Sequence, residues 1–144
     1  MSDLRLTVSR TIAAPAKAIY DAWLKAETLA RFMLPAEGVT VTDCTTDPRV
    51  GGRFSMIMRV GERDIPHAGT YHELTPHSRI RFGWESPFSA DGSEVTIDLV
   101  PETAGEAAAT RITLTHVRFP NDESRDNHEA GWGRILDVLG QIAA

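Results

Sequence analysis

The C-terminal stretch constrains the fold most. From Asn121 or Asp122, either of which can cap a helix, the residues Trp132, Ile135, Leu136, Leu139 and Ala143 recur at helical spacing along a single apolar stripe. A helix that is apolar on one face must lay that face against another element. What precedes it is mostly strand-like. The runs Val39–Thr46, Arg53–Val60, Ile65–Leu74, Arg79–Glu85, Val95–Val100 and Thr110–Val117 are all of strand length. Turn-forming residues separate them at Asp47-Pro48, Gly51-Gly52, Gly61, Pro76, Asp91-Gly92 and Gly105. Connections this short join antiparallel neighbours, so the six runs predict a meander.

The N-terminal part completes the order. Leu4, Leu6, Val8, Arg10 and Ile12 alternate with Arg5, Thr7, Ser9 and Thr11, the two-residue period of a strand. Pro15 suits the first turn of a helix from about 15 to 25, with Ile19, Tyr20, Trp23 and Leu24 on its apolar face. Leu29, Phe32 and Met33 make a second, shorter helix ending near Met33, ahead of Pro35 and Gly38. The resulting β-α-α-β6-α order predicts an α+β domain over 1–144. In it a curved antiparallel sheet wraps around the long C-terminal helix, a helix-grip arrangement.

Charge and composition exclude several partners. Fifteen Lys and Arg against twenty Asp and Glu give a net charge of -5, with no basic stripe for nucleic acid or an anionic membrane. Nine basic and eight acidic side chains fall in residues 1–72, six and twelve in residues 73–144. No apolar run approaches the ~18 residues of a membrane span. The N-terminus has no apolar signal core, and the single Cys44 forms no internal disulfide, so a cytoplasmic protein is expected.

Strand parity assigns an inner lining. Phe54, Met56 and Met58 share a charge-free face, as do Ile80, Phe82 and Trp84, and Ile112, Leu114 and His116. In 65–74 two inner sets remain open, His67, Gly69 and Tyr71 or Ala68, Thr70, His72 and Leu74. A sheet curved around a helix can leave a small-molecule cavity between them, and Met56 and Met58 would suit an adaptable lining. The ligand-binding candidates are therefore Phe54, Met56, Met58, Tyr71, Phe82, Trp84, His116, Trp132 and Leu136. Gly131, Gly133 and Gly140 each weaken the last helix by roughly 0.5 to 1 kcal/mol, so either close packing or a cavity beside Trp132 needs the room. The spacing of the five His matches no metal motif and no cofactor motif occurs, so no metal or cofactor is expected. His116, polar on an apolar face, is the candidate acid or base, with His67 or Tyr71 as its companion.

Several segments together resemble a known family. They are V-x-R-T-I-A-A-P-A from Val8 to Ala16, Asp47-Pro48-Arg49-Val50-Gly51-Gly52-Arg53-Phe54, and Gly69-Thr70-Tyr71-His72-Glu73-Leu74 with Pro76. Thr113-Leu114-Thr115-His116 and His128-x-x-Gly131-Trp132 with Leu136 complete the set. In this order they are similar to the activator-of-heat-shock-protein-ATPase-like family of the START-like (SRPBCC) superfamily. The resemblance implies the helix-grip fold and hydrophobic small-molecule binding under the last helix, with Gly51, Gly52, Gly131 and Trp132 as fold markers. Three functions follow as expectations: a binding module for a hydrophobic molecule, a polyketide cyclase- or aromatase-like enzyme using His116, or an interaction domain. The last would be a chaperone partner or a homodimer, and no additional chaperone-contacting domain is expected within 144 residues.

Overall fold

The computed structural model describes residues 4–89, 92–104 and 107–143. Their elements run β1 (Arg5–Ile12), α1 (Ala16–Leu24), α2 (Ala26–Phe32), β2 (Thr40–Thr46), β3 (Arg53–Val60), β4 (Arg63–Thr75), β5 (Arg79–Gly83), β6 (Glu94–Ala104), β7 (Ala107–Val117) and α3 (Asp122–Ala143). The strands form one antiparallel sheet in the order β1-β7-β6-β5-β4-β3-β2. This is the helix-grip architecture, an open curved sheet with α3 across its inner face. Strand and helix positions follow the expected order. The turn residues Asp91 and Gly105 lie outside the described residues.

Local chemistry sets the ends of α3 and its hold on the sheet. The Asn121 side chain accepts from the Ser124 backbone N–H at 2.8 Å, satisfying one of the donors that a helix start leaves free. Asp122 and Glu123 in the first turn complement the positive end of the helix dipole. Gly131 and Gly133 serve close approach: an added Cβ would stand 3.1 Å from Pro35 Cβ and 3.2 Å from Arg10 Nη2, respectively. Arg10, the one charged member of the inward set on β1, donates to Asp137 on α3 at 2.7 Å.

The register of β4 has a steric cause. His67, Gly69 and Tyr71 face inward, whereas His72 is exposed. A Cβ on Gly69 would lie 1.9 Å from the Gly83 carbonyl oxygen and 2.5 Å from the Phe54 ring, so only glycine fits. Strand β5 ends at Gly83, before the expected Glu85. Ala68 and Glu85 then form an isolated bridge, exchanging backbone hydrogen bonds of 3.0 and 2.8 Å. A register shift between Tyr71 and Glu73 lets the strand bend around the core.

The segment before β3 is a turn docked on this same strand. Gly51, at a φ of 86°, donates its N–H to the Tyr71 carbonyl at 2.8 Å, and Gly52 accepts from the Tyr71 N–H at 2.9 Å. On the outer face of the sheet, charges pair across strands. Arg53 makes a two-pronged contact with Glu85, Arg81 and His72 share Glu94, and Arg79 meets Asp98. Charges outside and an apolar lining inside orient the sheet toward α3.

Candidate functional site

The inner face divides into a packed region and an open one. Under α1 and α2, the side chains of Trp23, Phe54, Met56, Tyr71 and Phe82 close around a residual space of only about 10 Å³, too small for any organic ligand. Phe54 and Phe82 meet edge to face at 5.2 Å between ring centroids, and Trp23 and Phe32 do so at 4.9 Å, an arrangement favoured by the ring quadrupoles. The Tyr71 hydroxyl is buried here without a hydrogen-bond partner, and burial pushes its pKa above the usual phenol range.

Beyond Trp84 the sheet and helix separate. A cleft of about 540 Å³ opens between β3, β4 and Trp84 just after β5 on one side and the N-terminal half of α3 on the other, bounded also by the Pro35, Phe88 and Pro120 segments. Met58, Trp84, Trp132 and Ile135 supply its apolar wall, while Asn121, Glu123, Ser124 and Asn127 stand on the helix side. Trp84 and Trp132 meet at 5.0 Å between centroids, inclined by 60°. Phe88 remains half exposed while lining the cleft. Among the described residues, no Lys or Arg lines the cleft.

The nine expected ligand residues are thus divided. Met58, Trp84 and Trp132 line the cleft; Phe54, Met56, Tyr71 and Phe82 belong to the packed region, where aromatic rings fill the space. Leu136 is fully buried in the core. His116 does not line the cleft either. It is fully buried, its Nδ1 accepts from the Trp132 indole N–H at 3.0 Å, and its Nε2 meets Ser93 Oγ. An indole N–H only donates, so Nε2 carries the imidazole proton and donates to Ser93. Burial, followed by the nearby His128, pushes the His116 pKa down to about 3.

Two histidines outside the expected set do line the cleft. His67, held inward by the register of β4, bonds the Ile65 carbonyl through Nδ1 at 3.0 Å, and burial lowers its pKa. His128, one turn before Trp132 on α3, bonds the Ser124 carbonyl through Nδ1 at 2.8 Å. The sequence left His67 in one of two inner sets of 65–74, and the structure selects that set. The spacing of His128 and Trp132 on one helical face was the available signal for His128. Among the described residues, no three His, Cys, Asp or Glu side chains gather as a metal-binding group, and no helix is long and apolar enough to cross a membrane.

Comparison with known proteins matches the fold. The family model described as activator of Hsp90 ATPase homolog 1-like protein matches residues 13–144. A crystal structure from Chromobacterium violaceum superposes with a TM-score of 0.84 at 26% identity, covering 97% of each chain. One from Nitrosomonas europaea gives 0.79 at 23% identity, covering 99% of this chain and 95% of its own. The solution structure of an AHSA1-like protein from Aeromonas hydrophila gives 0.80 at 24% identity, covering 96% and 90%. No curated protein matches the chain.

Proposed function

The chain belongs to the activator of Hsp90 ATPase homolog 1-like family, and from that premise we propose that it is a binding module holding a small, mostly apolar molecule between the sheet and α3. The observation that carries this reading is the cleft of about 540 Å³ beside a core that is otherwise filled. Its volume falls within the range of small-molecule sites, roughly 300 to 1,000 Å³, and an apolar wall with a few polar groups is the usual lining. Each 100 Å² of apolar ligand surface removed from water there contributes about 2.5 kcal/mol before the costs of association. His116 has both ring nitrogens engaged inside the core, so it takes no part in holding the ligand.

Titration with Nile red, an uncharged dye that brightens on leaving water, tests the proposal. Uptake by the native protein, lost in Asn127→Trp at the cleft and retained in Val100→Trp on an exposed strand position, is the expected result. Absence of uptake, or equal uptake by Asn127→Trp, would overturn it.

A further inference from the structure

The polar groups of the cleft identify the kind of molecule it takes. His67 and His128 each direct Nδ1 at a backbone carbonyl, Ile65 and Ser124 respectively. A carbonyl only accepts, so each Nδ1 carries a proton, and in the neutral ring Nε2 is then a bare acceptor. Among the described residues, no hydrogen-bond partner meets either Nε2. Neither atom is among the sealed, partnerless ones, which are Trp23 Nε1, Tyr71 Oη and Trp84 Nε1. Both rings line the same cleft, and neither acceptor is sealed from solvent.

The surrounding charge is equally informative. Among the described residues, no Lys or Arg lines the cleft, and the one carboxylate there, Glu123, lies exposed on the rim at the first turn of α3. An anion would face imidazole lone pairs with no fixed counter-charge. A cation would find its only opposite charge in solvent, at the rim, where water screens it. An uncharged donor meets two acceptors with nothing to neutralise. Half-exposed Phe88 provides a flat apolar surface at the mouth, backed by the edges of the nearly buried Trp84 and Trp132, which suits a ring more than a branched chain.

Resting on the reading of this cleft as a binding site, we propose that it selects uncharged ring-bearing molecules with a hydroxyl or N–H donor, which His67 and His128 accept through Nε2. The selection acts by chemistry at one atom, so compounds sharing a ring and differing at that atom distinguish it from simple apolar uptake.

Calorimetric titration at pH 7 with 2-naphthol, 2-methoxynaphthalene, 2-naphthoate and 2-naphthylmethylammonium makes that comparison. The expected order places 2-naphthol at least tenfold tighter than the other three, the factor one good hydrogen bond supplies. His67→Phe, which keeps a ring and removes the acceptor, should narrow the preference for 2-naphthol over 2-methoxynaphthalene about tenfold. In the unsubstituted protein, the ¹⁵N resonance of Nε2 in His67 should move upfield when 2-naphthol binds, the response of an acceptor nitrogen. Equal affinity for the hydroxyl and methoxy compounds would overturn the donor selection while leaving apolar binding intact. Tighter binding of the carboxylate or the ammonium would overturn it as well. Failure of all four to bind would remove the binding site together with the inference.

Discussion

The indole N–H of Trp132 donates to Nδ1 of His116 at 3.0 Å, joining α3 to β7 through a buried polar contact. Ser93, immediately before β6, completes the contact by meeting Nε2. Three segments far apart in sequence are thus tied at one imidazole. Trp132 also forms part of the cleft wall, so the bond that holds the helix on the sheet orients a side chain of the proposed site.

Replacement of Trp132 by Phe removes the donor and leaves His116 Nδ1 buried without a partner. The expected loss is about 2 to 4 kcal/mol, combining the unpaired acceptor with the volume removed from a close-packed site. Urea denaturation measures it. A double-mutant cycle with His116→Leu should show coupling of about 0.5 to 3 kcal/mol, and additive single effects would contradict the bond's contribution.

The same imidazole makes stability depend on pH. Its pKa falls from an ordinary 6.5 to about 3 in the folded protein because of burial, whereas the unfolded chain takes up the proton near the ordinary value. Stability from the neutral ring is fully present above pH 6.5 and is lost as pH falls from there toward about 3, at about 1.4 kcal/mol per pH unit. His67, also lowered by burial, adds a slope of the same sign. Denaturation at pH 7 and pH 5 should show the loss. It should be smaller in His116→Gln, which keeps a donor and an acceptor without titrating.

Gly69→Ala tests the steric origin of the β4 register. The added methyl has no room beside the Gly83 carbonyl and the Phe54 ring, so strand and core must shift together. A loss above about 3 kcal/mol, or failure to fold, is expected. Gly61→Ala in the β3–β4 turn, where a Cβ meets nothing within 4 Å at a φ of 63°, should cost about 1 to 2 kcal/mol. Thermal unfolding of the two variants would contradict the account if their order were reversed.

Phe88 offers a test of the cleft mouth. It is half exposed and lines the cleft, so its ring contributes little to the core and gains cover when an apolar ligand enters. Phe88→Ala should lower the affinity for Nile red about three- to tenfold, while stability stays within about 0.5 kcal/mol of the native value. Unchanged affinity would remove Phe88 from the binding surface.

Much of this architecture was legible from local patterns. Alternation in 53–60, 79–85 and 110–117 assigned Phe54, Met56, Met58, Ile80, Phe82, Trp84 and Leu114 to the inner face, and all are buried. The spacing from Trp132 to Leu139 assigned the buried stripe of α3. The cleft was less legible. Packed and open surfaces carry the same residue types: Met56 lies in the filled region and Met58 at the opening, two residues apart on one strand. His116 was readable as inward, but its partners Ser93 and Trp132 were not, because neither lies near it in sequence.

The division has a physical basis. Periodicity and turn chemistry act between residues a few positions apart, so the sequence by itself determined the element order, the inward faces and the helix that must cover them. The tertiary structure alone decided where space remains, which inner set of β4 prevails, and which imidazoles are used up inside the core. These depend on contacts across the sheet and between sheet and helix: Gly69 against Gly83 and Phe54, Trp132 against His116, and, among the described residues, no hydrogen-bond partner at Nε2 of His67 and His128. Side-chain volume and hydrogen-bond satisfaction are settled only when distant segments meet.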